Sequence, residues 1–455
     1  MKNKLKNIFF RQVKGVDNQE LLKGGALAFI IKLCGMACNY VFIFLLARMY
    51  GATGSGIYSI FQTVFQFFSS FGKLGYDILM VREVARYNAL AQWNSIKDLY
   101  FKVIRINIIA SIIFSVALYF SADWIAAVIF LKPGLTQYFQ ISALGILPFV
   151  LHALHSNCFR GMKNIMVYSF FQHVLSLLII VLLLCLSYFI IHDRKVPVSI
   201  FVIAISISSF ISAWFWIKKS PVFQSGTGEK IIFSEKSAIA FSLFLTSFLQ
   251  VVRGWTDTIF IARYGTEADV GIYKVAFRIA TITSLTLTAF LITVAPKISE
   301  LHAKGEMKRL AMVVQNTTKL IFWTSAPALL LFILMPGFFM NIFGDEFLSG
   351  SQVLIILTIG QFISAATGPV GNLLMMTGKQ DLNRNIIIGT TLFTVIINSM
   401  VIPIYGITGA ALVNVAGIFL SNVIPFILIK HYYGFYTFDA KHVFFIRRKG
   451  FLKQP

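Results

Sequence analysis

The sequence predicts an all-α polytopic membrane protein, with about twelve transmembrane helices in two pseudo-symmetric six-helix lobes. Three observations lead there. The 455 residues are 57% hydrophobic, with a mean hydropathy of +0.77. Only 13% are charged, against roughly 25% in ordinary soluble domains. Ala47, Arg48, Gly56, Ile57 and Tyr58 recur as Ala262, Arg263, Gly271, Ile272 and Tyr273, all at an offset of 215 residues. Identities at one offset, each set in a polar turn between two apolar runs, mark a duplicated half.

The apolar runs are 25–47, 57–80, 104–121, 137–159, 166–191, 197–217, 238–262, 270–294, 318–343, 352–376, 385–403 and 406–430. Each holds about 20 residues, enough to cross ~30 Å of hydrocarbon. A short second helix over 124–131 is expected to continue the third run. The first run is too long for a signal-peptide core and follows a basic polar stretch, so it reads as a span.

The only polar Gly/Ser/Pro-rich stretch between apolar blocks is Lys218 to Lys236. It divides the chain into an N-terminal lobe (1–217), a cytoplasmic linker (218–236), a C-terminal lobe (237–432) and a basic cytoplasmic tail (433–455). An even number of spans per half gives both copies the same orientation, related by an axis along the membrane normal.

The net charge of +22 comes from the loops. With the N-terminus placed in the cytoplasm, 30 of the 40 Lys and Arg fall inside, 5 outside and 5 within spans. By the positive-inside rule both termini are cytoplasmic. The charge is thereby accounted for by topology and anionic lipid, without nucleic acid. The basic loops 82–105 and 297–319 correspond under the repeat and read as amphipathic helices at the inner surface.

Several function classes drop out. Cys34, Cys38, Cys158 and Cys185 all lie in apolar runs without metal-ligand spacing; Cys34 and Cys38 share a helix face and read as small buried packing residues rather than a metal pair. There is no Walker A sequence and no Gly-rich βαβ turn. No loop is long enough for a catalytic domain. The chain is read as a non-enzyme, without cofactor or metal.

Charge inside the spans is the functional signal, because an ionisable group at the bilayer centre costs about 2.5–3.5 kcal/mol on insertion scales. Gln62, Gln66, Ser70, Lys73 and Asp77 share one helical face in the second span, and Ser242, Thr246, Gln250, Arg253 and Asp257 repeat that spacing in the seventh. Lys32 and Asn39 add to the first span, Lys274 and Arg278 to the eighth. Polar stripes cannot face lipid unsatisfied, so a polar cavity between the lobes is expected. Its cations are Lys32, Lys73, Arg253, Lys274 and Arg278; its acids are Asp77 and Asp257. Surplus positive charge suits an anionic passenger such as a pyrophosphate-linked lipid. Asp77 and Asp257 are candidate sites for a coupling H⁺ or Na⁺. The bland alternative is that Lys73 with Asp77, and Arg253 with Asp257, are i,i+4 pairs that neutralise each other. His152 and His155, three apart in the fourth span, read as polar packing rather than a proton relay.

The stretches LLARMYGATGSGIYS (45–59), FGKLGYDILMVREVAR (71–86) and IFIARYGTEADVGIYKVAFRIA (259–280) resemble the Wzx-type polysaccharide and O-antigen flippases. Their superfamily also contains the MATE multidrug exporters and the lipid II flippase. Gly72, Gly75, Arg82 and Glu83 look like that family's exit from span two; Gly271, Ile272, Tyr273 and Ala276 look like its entrance to span eight. The resemblance implies alternating access and movement of a polyprenyl-pyrophosphate-linked oligosaccharide to the outer leaflet, for O-antigen, capsule or exopolysaccharide. It implies a bacterial inner (plasma) membrane location, contact with membrane lipids and with a polysaccharide polymerase and chain-length regulator; no association motif stands out, so a monomer is the default. It places cationic residues of spans one, two and eight at the phosphates: Lys32, Lys73 and Lys274 or Arg278. Two other classes remain open. A MATE-type exporter of organic cations would want surplus acid in its cavity. A polytopic polysaccharide polymerase would want catalytic residues on a sizeable outer loop.

Overall fold

The computed structural model describes residues 16–188, 193–223 and 233–438. These form helices joined by short turns. The first, α1 (Val16–Lys73), is 58 residues long. Gly51 breaks it at φ 67°, ψ −171°, a conformation that glycine alone adopts without strain. The last, α15 (Gln380–Tyr433), is broken in the same way at Gly406, φ 55°, ψ −138°. Among the described residues ten helices are long and apolar enough to cross a bilayer. Dividing the two double-length ones at their glycines gives twelve crossings, as the apolar runs require.

Between them run α2 (Tyr76–Ala89), α3 (Trp93–Trp124), α4 (Thr136–Gly161), α5 (Ile165–Phe170), α6 (Ser176–Tyr188), α7 (Val196–Lys219) and α8 (Phe233–Tyr264). Then follow α9 (Glu267–Thr281), α10 (Leu285–Ala303), α11 (Met307–Leu334), α12 (Pro336–Asn341), α13 (Ser351–Thr367) and α14 (Val370–Met376). The expected helix at 124–131 is a π-helical turn, Ile125–Ile129, that prolongs α3. Most of the linker, 224–232, lies outside the described residues, and α8 already begins at Phe233.

The two basic loops differ from expectation. Neither is a separate surface helix. Residues 82–105 are the end of α2, a tight turn and the start of α3. Residues 297–319 are the end of α10, a turn at Gly305 and the start of α11. The reason is burial: α2 puts Leu79, Met80, Glu83 and Val84 inward, so its basic face is the outer side of a packed helix.

The second span also ends earlier than the run 57–80 suggested. α1 stops at Lys73, and Leu74 (φ 48°) and Gly75 (φ 76°) turn the chain left-handed before α2. The eighth span is likewise interrupted by a 3₁₀ turn, Ile282–Ser284, and the tenth by Gly368 (φ 74°) and Pro369.

The chain forms two compact units. One runs to Met49 and resumes over Phe61–Val251; the other joins Tyr50–Ile60 to the chain from Val252 onward. The first unit is cored by Leu79, Met80, Leu99, Val103, Leu154 and Trp216. The second contains a cluster of Ile298, Leu310, Val314, Leu373, Leu374 and Ile429. Cys34 is exposed and Cys38 half-buried, where burial was expected; Cys158 is buried and Cys185 exposed. The surface of a bilayer-spanning helix is apolar, so an apolar run does not imply an interior position.

Candidate functional site

The second unit holds a polar cluster around one predicted site residue. Asp257, in the last third of α8, is 8% exposed. Its Oδ2 accepts from the Tyr273 hydroxyl at 2.6 Å and from Asn414 Nδ2 at 2.8 Å. Its Oδ1 accepts from Asn398 Nδ2 at 2.9 Å. Three donors on a buried carboxylate hold it in one orientation. Asn398 and Asn414 lie in the two halves of α15 and Tyr273 in α9, so the carboxylate ties three helices together. The carboxamide oxygens of both asparagines are buried without a hydrogen-bond partner among the described residues.

The entry to α9 is built locally. Thr266 caps it: its hydroxyl accepts from Asp269 N at 3.1 Å, and Asp269 Oδ2 accepts from Thr266 N at 2.8 Å. This reciprocal cap starts the helix that carries Tyr273, Lys274 and Arg278. Lys274 Nζ sits 4.3 Å from the centroid of the Trp255 ring and 5.9 Å from that of Phe277, where the ring face attracts the ammonium. Arg278 is exposed.

Arg253 is not the partner of Asp257. Its Nη2 donates to Ser421 Oγ at 2.9 Å, and Asp257 is held by Tyr273, Asn398 and Asn414. The i,i+4 reading fails here because neutral donors from other helices reach the carboxylate instead. Arg253 faces a pocket lined in part by Asn372, Asn383, Ser421 and Asn422, and not by Asp257 or Lys274.

In the first unit the other i,i+4 pair does form. Lys73 Nζ lies 3.8 Å from Asp77 Oδ2, across the break at Leu74 and Gly75. The break means that Asp77 is not on the same continuous helix as Gln62, Gln66 and Lys73. Lys73 Nζ also lies 5.4 Å from the Phe149 ring centroid. Gln62 and Gln66 are half-buried, and Ser70 donates to the Gln66 carbonyl at 2.7 Å. Lys32 and Asn39 are half-buried on α1.

The seventh-span stripe does not have one environment. Ser242 and Gln250 are exposed, Arg253 is half-buried and Asp257 buried; the Thr246 side chain lies outside the described residues. His152 and His155 are structural, as read. His155 Nε2 is 3.0 Å from Tyr100 Oη, and His152 bridges Ser212 Oγ and the Phe171 carbonyl at 3.3 and 3.2 Å.

Charge alone did not reveal Tyr273, Trp255, Asn398, Asn414, Asn383 and Ser421. Tyr273 was visible as part of the repeated Gly-Ile-Tyr. The asparagines were visible as polar residues inside apolar runs, a weaker signal than charge. Among the described residues no three His, Cys, Asp or Glu side chains come together as a metal site.

A family model described as "Polysaccharide biosynthesis protein" matches residues 21–302, and one described as "MatE" matches residues 242–400. A probable low-salt glycan biosynthesis flippase of Haloferax volcanii is 28% identical over 179 residues, 39% of this chain and 37% of that protein. The chain's matches span less than half the length of the curated relatives found. Among solved structures, an inward-facing multidrug resistance MATE family transporter of the MOP superfamily superposes with a TM-score of 0.70 at 13% identity, covering 89% of this chain and 98% of that one. The lipid II flippase MurJ, inward closed, gives 0.68 at 15% identity, covering 93% and 89%. At these identities the likeness is one of fold.

Proposed function

This chain belongs to the polysaccharide biosynthesis protein family, and we propose that it is a flippase, not an enzyme, carrying a polyprenyl-pyrophosphate-linked oligosaccharide across the membrane by alternating access. The observation that carries this reading is the imbalance of charge within the spans. Within the spans five cations, Lys32, Lys73, Arg253, Lys274 and Arg278, stand against two acids, Asp77 and Asp257, and Asp257 is already engaged by three neutral donors. Positive charge in low dielectric favours an anionic head group, while the prenyl chain stays in lipid. The flippase names of relatives from Haloferax volcanii support the same reading.

On this reading Lys274 and Arg278 are the second unit's candidate phosphate contacts, and the first unit has its own candidates, Lys32 and Lys73 for charge and Asn39, Gln62, Gln66 and Gln250 for hydrogen bonds to sugar. Asp257 is the coupling position. As the amides stand, both asparagine nitrogens donate to it. With both amides turned over, the carboxylate and two carboxamide oxygens make an all-oxygen set suited to Na⁺. The monomer, the cytoplasmic termini and delivery to a polymerase with its chain-length regulator belong to the same proposal.

The test is the sidedness of the lipid-linked oligosaccharide pool in a strain lacking the gene, read in inverted and right-side-out vesicles. Repeat units trapped on the cytoplasmic face are expected. Restoration of export by a Lys274→Ala, Arg278→Ala double variant would remove the charge argument. The second reading is an organic-cation exporter, favoured by the "MatE" match over 242–400. Drug resistance on expression, without an oligosaccharide defect on deletion, is the result it requires.

A further inference from the structure

The second unit contains a cavity of about 270 Å³ on the Arg253 side of α8. Its wall is made where the tenth span breaks. α13 ends at Thr367, Gly368 turns to φ 74°, and Pro369 leads into α14. A side chain at Gly368 would run into Thr318, and one at Gly371 would reach within 3.3 Å of Asn383 Oδ1. The break therefore leaves room that a continuous helix would fill.

The lining is apolar except at a few points. Arg253 is its one charged residue, and none of its residues is acidic. Of the five N–H groups of a guanidinium, one meets Ser421 Oγ at 2.9 Å. Among the described residues no carboxylate lies within 4.0 Å of it. Asn422 is occupied: its nitrogen donates to the Ile418 carbonyl at 2.8 Å and its oxygen accepts from Thr367 at 3.3 Å. Asn383 is 8% exposed, yet neither it nor Asn372 has a side-chain hydrogen-bond partner among the described residues. Such groups in an apolar wall are unfavourable unless something completes them.

What completes them is readable from their chemistry. A planar fork of N–H donors without a counter-ion takes an oxyanion. Two carboxamides beside it donate to and accept from hydroxyls. The volume is below the ~300–1,000 Å³ of typical ligand pockets, so one unit fits and an oligosaccharide does not. We propose that this cavity is an oxyanion-and-hydroxyl subsite for a single anionic unit of the passenger. That unit is either a phosphate of the lipid head group or the carboxylate of an acidic sugar. The proposal rests on the flippase reading. It assigns Arg253, Asn372 and Asn383 to a site separate from the Lys274–Asp257 cluster.

The test is binding of three probes to the full chain in nanodiscs: undecaprenyl pyrophosphate, octyl glucuronide and neutral octyl glucoside. Arg253→Gln is expected to weaken an anionic probe by about tenfold, the usual scale of one charge-assisted hydrogen bond, and to leave octyl glucoside unchanged. Arg253→Lys, which keeps the charge, is expected to recover part of that loss. Asn383→Leu is expected to weaken the same probe, which separates the pocket from charge alone. Loss confined to undecaprenyl pyrophosphate identifies the head-group phosphate; loss confined to octyl glucuronide identifies the acidic sugar. Wild-type affinity of Arg253→Gln for both anionic probes, with Lys274→Ala, Arg278→Ala losing them, overturns the subsite and leaves the flippase reading standing. Failure of the wild-type protein to bind either anionic probe overturns both.

Discussion

Gly56 and Gly271 cross backbone to backbone within one compact unit. A Cβ on Gly56 would lie 3.1 Å from the Gly271 nitrogen and overlap the Glu267 carbonyl; one on Gly271 would lie 3.0 Å from the Gly56 nitrogen and overlap the Ala52 carbonyl. The two are the same residue of the internal repeat, 215 positions apart. Each copy thus contributes its glycine to a single contact, and close helix approach through small residues is a principal means of association in membranes.

Gly271→Val is expected to lower stability by about 1–3 kcal/mol, the cost of overpacking, and to impair export. Gly254→Ala is the control, since nothing lies within 4 Å of its added Cβ. Thermal unfolding of both variants in detergent checks this. Equal midpoints for the two would show that the crossing is not tight.

Removing the Asp257 carboxylate strands three donors. Asp257→Ala leaves Tyr273, Asn398 and Asn414 buried without an acceptor, at about 1–3 kcal/mol for each, so the protein is expected to unfold at markedly lower temperature. Asp257→Asn keeps the volume and is expected to stay folded but to lose export. Tyr273→Phe removes one bond of 2.6 Å and is expected to fall between. Normal export by the Asp257→Asn variant would exclude a coupling role for this residue.

Glu83 and Lys236 form a buried pair, Nζ to Oε2 2.6 Å, with side chains 1% and 10% exposed. They pin the start of α8 to α2, beside a Tyr76 hydroxyl bond to Ser237 at 3.1 Å. Glu83→Gln leaves a buried ammonium without its carboxylate and is expected to cost about 3–5 kcal/mol. Glu83→Gln with Lys236→Met is expected to recover most of that. Unfolding midpoints of the two singles and the double variant measure the coupling.

Glu300, outside the spans, is the clearest titrating group. Hydrogen bonds from Lys297 and Lys304 hold its carboxyl down to about 2, from an ordinary value of 4.5. A depressed acid stabilises the folded state above its unfolded value. That contribution fades as pH falls from about 4.5 toward 2. Lys304 shifts upward, mainly through its hydrogen bond to Glu300, so its share is lost only as pH rises beyond the ordinary lysine range. Because all three side chains are exposed, salt should weaken the effect. Protection factors at the end of α10, corrected for the intrinsic pH dependence of amide exchange, are expected to fall at low pH in the wild type and to lose that dependence in Glu300→Gln.

Apolar run length, the asymmetry of Lys and Arg and the 215-residue repeat were sufficient for the fold class and for roughly twelve crossings. They act through the cost of placing backbone and charge in hydrocarbon, and that cost is paid residue by residue along the chain. Charge inside spans likewise singled out Asp257, Lys274 and Arg253 as residues needing partners. Which partners they have was decided only in three dimensions. Asn398 and Asn414 are 141 and 157 positions from Asp257, and no local spacing connects them. Arg253 meets Ser421, 168 positions away, and so leaves the carboxylate four residues along its own helix to other donors. Helix breaks at Gly75 and Gly368 divide runs that looked continuous, because apolar composition records burial in lipid or protein and is silent on backbone direction. The sequence alone determined which side chains were expensive to bury. Tertiary packing decided what each of them bonds to, because those bonds join helices that the chain order keeps far apart.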